Sequence, residues 1–90
     1  MSVRTLALPP VIDAASVGAL RSDLLDQRGQ DLVLDGDAVT RIGGLGLQVL
    51  LAAHRAWAVD GRALTLANPS PALTEMLRLT GAAQLPEFNS

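Results

Sequence analysis

The feature that most constrains the fold is a long apolar segment that follows a cluster of glycines. The glycines are Gly43, Gly44 and Gly46. The spacing of the apolar residues after them predicts a helix from about Leu45 to Val59, closed by Asp60-Gly61. This helix is apolar over most of its circumference, and a sheet covers only one side of a helix. We therefore expect other helices or a partner to cover the rest.

At 100° per residue, this central helix has two apolar arcs separated by a narrow polar stripe at Gln48 and Arg55. The leucine arc consists of Leu47, Leu50, Leu51 and Ala58, with Trp57 at its edge. The small-residue arc consists of Leu45, Gly46, Val49, Ala53 and Ala56. One interpretation is that neighbouring helices cover both arcs. The alternative is that the small-residue arc is a docking surface, since exposed apolar patches often mark interaction sites.

Strand-like and helix-like segments alternate along the rest of the chain. Predicted strands are residues 3–8, 11–12, 31–36, 62–67 and a brief one within 82–88. Predicted flanking helices are residues 14–28, with Asp13 as N-cap and Gly29 after the end, and a helix from Pro71 to before Gly81, with Ser70 as N-cap. The apolar run at 31–36 is typical of a strand buried on both faces. We therefore predict a single α/β domain over residues 1–90, with a mixed, mostly parallel sheet of four to five strands and three helices.

Composition excludes several classes of function. The net charge is −2, and the seven basic residues are arginines dispersed from Arg4 to Arg78, so a nucleic-acid-binding surface is not expected. The chain has no cysteine, which excludes disulfides and thiol chemistry. No apolar run reaches the length of a membrane span, and Pro9-Pro10 interrupts the N-terminal segment. We expect a cytoplasmic protein without membrane insertion.

Candidate catalytic residues are sparse. His54 is the single histidine and lies on the leucine arc, where a structural, partly buried role is favoured over catalysis. Asp35 and Asp37 follow a strand end, where α/β sheets bind ligands, but a turn role is favoured for both. The glycines match neither a dinucleotide-binding motif nor a P-loop, and the chain has no lysine. We therefore predict no enzyme activity, no metal site and no cofactor.

Two segments carry a resemblance to a known family. "LVLDGDAVTRIGGLGLQVLLAA" and "DGRALTLANPSPALTEMLRLTGA" resemble the STAS domain, the fold of the anti-sigma-factor antagonists. The resemblance rests on the strand ending in Asp35, the Gly-Leu-Gly start of the central helix, the DG turn and the Ser-Pro start of the third helix. It covers roughly residues 31–88 and implies a STAS fold and a regulatory function through protein–protein interaction.

The resemblance also implies that the usual phosphorylation site has been lost. In phosphorylated antagonists, the Gly-Leu pair follows an Asp, then the Ser or Thr that a partner kinase modifies, then another small residue. In this chain Arg41, Ile42 and Gly43 occupy those three positions. Isoleucine cannot accept phosphate, so Ile42 is a degenerate phosphosite. Neither Thr40 nor Ser70 is expected to replace it.

The predicted function is therefore a docking module that is not switched by phosphate at the usual position. The predicted partner-binding residues are Asp37, Thr40, Arg41, Ile42, Gly43, Gly44, Leu45, Gln48, Val49 and Ser70. A resemblance to STAS proteins that accompany bacterial chemotaxis genes implies a histidine kinase or a response regulator as partner. The alternatives are the ATPase of a phospholipid-transport ABC complex and an anti-sigma kinase. A small ligand at the strand ends and a homodimer both remain open.

Overall fold

We analysed a computed structural model of the protein, in which residues 4–80 are described. Strands and helices alternate along this part of the chain. The strands are β1 (Arg4–Ala7), β2 (Val11–Ile12), β3 (Leu32–Asp35), β4 (Arg41–Ile42) and β5 (Leu64–Ala67). The helices are α1 (Val17–Asp26), α2 (Gly44–Val59) and α3 (Pro71–Thr80). The predicted short strand at residues 11–12 is confirmed, whereas β4 was not predicted. The predicted strand at 82–88 lies outside the described residues.

Every strand pairing in residues 4–80 is parallel. Strands β1, β3 and β5 form one sheet in that order, and β2 and β4 form a separate two-stranded ladder. The predicted α/β class, with mostly parallel strands and three helices, is confirmed. The connections from β1 to β3 and from β3 to β5 step in the same direction across the sheet. Right-handed crossovers therefore place α1 and α2 on the same face, where the two helices contact each other.

The central strand of the three-stranded sheet is buried on one face only. Leu32 and Leu34 of β3 are buried, whereas Val33 and Asp35 between them are half-buried. Strand β5 alternates in the same way, with its two leucines buried. The prediction that residues 31–36 are buried on both faces was therefore wrong, because the helices α1 and α2 cover only the face that carries the leucines.

Helix α1 begins later than predicted. The side chain of Asp13 accepts hydrogen bonds from the backbone N–H groups of Ala15 and Ser16, at 3.0 and 3.2 Å. This turn uses Asp13 before the helix starts, so Ser16 occupies the N-cap position and Val17 is the first helical residue. The helix ends at Asp26 rather than Arg28. Gly29, expected just after the end of the helix, has a φ of +89° in the turn that follows.

The buried side of α2 includes residues from both predicted arcs. Its buried residues are Gly46, Leu47, Leu50, Ala53 and Trp57. Ala58, placed on the leucine arc, is exposed. Part of the small-residue arc is therefore core, since Gly46 and Ala53 are buried while Leu45 remains 58% exposed. Of the three glycines near the start of α2, Gly46 has a clear packing role.

Gly46 allows α2 to lie directly on β2. A Cβ atom at this position would overlap the side chain of Ile12 and come within 3.0 Å of the Ile12 carbonyl oxygen. A Cβ at Gly44 would meet no described atom within 4 Å. Glycine is therefore needed at position 46, because the start of α2 approaches the backbone of β2 closely there.

We predict that Gly46→Ala lowers the free energy of unfolding by about 1–3 kcal/mol, because the added methyl group overpacks the contact with Ile12. Gly44→Ala is the matched control, since alanine favours both helical positions by a similar amount. Its free energy of unfolding should stay within about 1 kcal/mol of wild type, on the stabilising side. Urea denaturation measures both values, and equal effects of the two substitutions would contradict the packing role.

Candidate docking surface at the start of the central helix

The loop between β3 and α2 is held against the segment around β2 by backbone hydrogen bonds. The Pro10 carbonyl oxygen accepts from the N–H groups of Thr40 and Arg41, at 2.7 and 3.2 Å. The Thr40 hydroxyl donates to the same oxygen at 3.0 Å. The Gly43 N–H donates to the Ile12 carbonyl oxygen at 2.9 Å. These bonds fix the loop in the conformation that leads into the first turn of α2.

The two residues of β4 point in opposite directions, as successive residues of a strand do. Arg41 is exposed, whereas the Ile42 side chain is 6% exposed and belongs to the hydrophobic core. Ile42 pairs with Ile12 across the β2–β4 ladder. The position predicted to be a degenerate phosphosite thus holds a core side chain, and its burial gives the isoleucine a structural reason to be there.

Eight of the ten predicted partner-binding residues reach the surface. Asp37, Thr40, Arg41, Gly44, Leu45 and Gln48 are exposed, and Gly43 and Val49 are half-buried. The side chains of Ile42 and Ser70 are buried, so we remove both from the predicted contact set. The remaining residues lie on the loop and on the first turns of α2 that directly follow it.

Ser70 has the capping role that the sequence predicted for it. Its hydroxyl oxygen accepts a hydrogen bond from the Leu73 N–H at 3.1 Å, and its carbonyl oxygen accepts from Thr74 at 2.9 Å. The Ser70 N–H donates to the Gly36 carbonyl oxygen at 3.1 Å. These bonds join the start of α3 to the chain just after β3, so the Asn68–Ser70 turn lies beside the loop that begins there.

Two of the side chains considered for catalysis, those of Asp35 and His54, have environments that fit structural roles. The Asp35 carboxylate accepts a hydrogen bond from the Asp37 N–H at 3.0 Å, which is the predicted turn role. His54 is half-buried, as predicted for a residue at the boundary of the core. Among residues 4–80, no three His, Asp or Glu side chains are placed to hold a metal ion. Within the same range, no helix is long and apolar enough to cross a membrane.

An apolar groove of about 490 Å³ runs between α1 and α2 beside this surface. Its exposed walls include Leu25 of α1, which is 54% exposed, and Leu45 of α2. Val49, Ala52 and Ala56 line it further along α2. This groove was not predicted from the sequence. A signal was available: α1 has adjacent leucines at 24 and 25, and one helix face cannot bury both equally.

Trp57 closes the floor of the groove at one end. Its indole N–H donates to the Gln30 carbonyl oxygen at 2.8 Å, and the side chain is 1% exposed. The Arg28 guanidinium carbon lies 5.8 Å from the centre of the Trp57 ring. Arg28 also forms a two-point ion pair with Asp60, with N···O distances of 2.7 and 3.0 Å, and this hydrogen bonding lowers the pKa of the Asp60 carboxyl. The charge of Arg28 is thus already paired.

The family described as "Mlab, STAS domain" matches residues 2–87 of the chain. The match covers nearly the whole sequence and agrees with the observed fold, so the protein belongs to the STAS domain family. No curated protein matches the chain. STAS domains are generally non-enzymatic modules that mediate protein–protein interactions, which supports a general regulatory role through protein binding.

We predict that Ile42→Ala lowers the free energy of unfolding by about 2–5 kcal/mol, because it removes a buried side chain and leaves a cavity. Arg41→Ala is the matched control on the same strand. Since the Arg41 side chain is exposed, its loss should change the free energy of unfolding by no more than about 0.5 kcal/mol. Chemical denaturation measures both variants. A small loss of stability in Ile42→Ala together with a large loss in Arg41→Ala would contradict the observed orientation of β4.

Proposed function

We propose that this protein is a non-enzymatic docking module of a bacterial signalling pathway, and that phosphate at the usual STAS position does not control it. The observation that carries the proposal is the buried side chain of Ile42 at the start of α2. A regulatory hydroxyl must be reachable by a kinase, and here a core methyl-bearing side chain fills that position. Arg41 before it and Gly44 and Leu45 after it are exposed, which supports a contact surface around this position.

The proposed contact surface combines a cation with an exposed apolar side chain. Arg41 and Thr40 are exposed on the loop side, and Leu45 lies with more than half of its side chain in water in the first turn of α2. An exposed leucine beside an arginine is the composition expected for an interface core with a polar rim. Arg41 takes the place of the acidic residue in phosphorylated antagonists, so the partner should offer negative charge here.

The resemblance to chemotaxis-associated STAS proteins favours a histidine kinase or a response regulator as the partner. The segment Val39–Ile42 before Gly-Gly-Leu also resembles STAS subunits of phospholipid-transport ABC complexes, which makes an ABC ATPase the second candidate. Affinity purification of the full chain from its native host, followed by mass spectrometry, distinguishes them. A kinase or response regulator supports the first assignment, an ABC ATPase supports the second, and an anti-sigma kinase would overturn both.

We predict that Leu45→Asp reduces recovery of the partner in this purification at least tenfold, because it places a charge where the interface should be apolar. An acidic residue is favourable in the first turn of a helix, so the fold should be retained. Leu79→Asp on α3 is the matched control, since Leu79 is 68% exposed and lies outside the proposed surface. Circular dichroism checks the fold of both variants. Equal recovery with both would contradict the proposed surface.

We also predict that the protein stays unmodified when it is incubated with ATP and the kinases of its native host. The exposed Thr40 hydroxyl donates to the Pro10 carbonyl oxygen, and the Ser70 hydroxyl is buried in its capping role. Intact-mass spectrometry of the recovered chain should show the unmodified mass. Stoichiometric phosphate at Thr40 or Ser70 would contradict the loss of the phospho-switch.

A further inference from the structure

We propose that the groove between α1 and α2 receives one acidic amphipathic helix of the partner protein. This inference rests on the proposed docking function and specifies the chemistry of the partner segment. The groove is continuous with the proposed contact surface, because Leu45, Gln48 and Val49 belong to both. Its occupant, however, contacts α1 as well, which the sequence-based surface did not include.

The shape of the groove matches a helix. Two helices that pack side by side leave a trough along their length, and a third helix can lie in that trough with its apolar face inward. Helix α1 has ten residues and is therefore about 15 Å long, which sets the contact length at about three turns of the partner helix. The partner should present apolar residues at spacings of three and four over those turns.

The exposure of the groove walls favours a helix over a small apolar ligand. Leu25 and Leu45 on opposite walls are each more than half exposed. A small ligand between them would keep one side in water, whereas specific small-molecule sites bury most of the ligand surface. The opposite face of an amphipathic helix is polar and is compatible with solvent.

The charge around the groove specifies an acidic occupant. Arg21 and Arg28 line it on the α1 side, and none of the described residues that line it is acidic. At 100° per residue, Arg55 lies about 20° around α2 from Gln48, just outside the residues that line the groove. The two acidic residues of α1, Asp23 and Asp26, lie about 160° and 140° around that helix from Arg21. Although the net charge of the chain is −2, the described residues that line this groove include two arginines and no carboxylate, and the carboxylate of Asp60 pairs with Arg28 from outside the lining.

Arg21 is the decisive cation among these. Arg28 already pairs with Asp60, so part of its charge is neutralised before any partner binds. Arg21 is exposed at the edge of the groove, midway along α1. A glutamate or aspartate that flanks the apolar residues of the partner helix would pair with it there.

Site-specific photo-crosslinking in the native host tests the proposal. p-Benzoylphenylalanine replaces the exposed groove residue Ala52 in the full chain and, in a separate variant, replaces Thr40 on the loop. The crosslinked partner peptides are then sequenced by mass spectrometry. From position 52 we expect a partner segment with helical apolar spacing and a net negative charge.

The two positions separate failure of this inference from failure of the proposed function. A crosslink from position 40 without one from position 52 would support docking and overturn the groove assignment. Crosslinks from neither position would overturn both. From position 52, a lipid, a second copy of this chain, or a partner segment with net positive charge or no helical periodicity would overturn the groove assignment.

A synthetic peptide with the sequence of the crosslinked segment tests the charge requirement. Trp57 is the single tryptophan and lies in the floor of the groove, so a change in its fluorescence is the signal used to measure binding. Arg21→Glu should weaken binding about tenfold, since it replaces an attraction with a repulsion of similar size. Arg21→Lys should keep the affinity within about threefold of wild type. Arg78→Glu on α3 is the matched control, and a loss equal to that of Arg21→Glu would overturn the charge assignment.

Discussion

The close contact between Gly46 and Ile12 determines how the rest of the structure is arranged. Because Gly46 has no Cβ, the first turn of α2 lies directly against the backbone of β2. The Gly43 N–H completes this contact by donating to the Ile12 carbonyl oxygen at 2.9 Å. The glycine cluster therefore fixes the position of a helix, and a ligand is not required to explain it.

The orientation of the residues at the candidate docking surface follows from the contact between Gly46 and Ile12. Once the start of α2 is held at β2, residues 41–42 lie beside residues 11–12 as a second short parallel ladder. The alternation of a strand then buries Ile42 and exposes Arg41. The first turn of α2 exposes Leu45 at the beginning of the groove between α1 and α2. The buried Ile42 and the exposed Arg41 are thus consequences of the same packing arrangement.

Much of the fold was predictable because its signals are local. The glycine and Asp-Gly boundaries of α2, and the Ser-Pro start of α3, are capping and turn signals that act over a few residues. Only one strand of the short β2–β4 ladder was predicted: Val11-Ile12 is an apolar, β-branched pair, whereas Arg41-Ile42 includes a charged residue and is identified as a strand by its pairing with β2. The start of α1 was predicted too early, because Asp13 accepts hydrogen bonds in a turn that precedes the helix. Aspartate is typical both of such turns and of helix N-caps.

The candidate site was predictable as a segment but not as a set of contacts. The sequence identified residues 37–49 as the region of interest, yet it could not show that Ile42 faces inward, because that depends on the pairing of β4 with a segment 30 residues earlier. The adjacent leucines of α1 indicate that one of them stays exposed, but the groove itself depends on how α1 packs against α2, which that local pattern does not encode. The exposed position of Leu25 is a consequence of that packing.

The central claim is that a protein partner binds at the start of α2 and in the groove beside it. Hydrogen–deuterium exchange of the full chain, with and without its co-purified partner, measures this most directly. We expect slower amide exchange in residues 37–49 and in α1 when the partner is bound, with α3 unchanged. Protection confined to α3 or to the strands of the three-stranded sheet would contradict it.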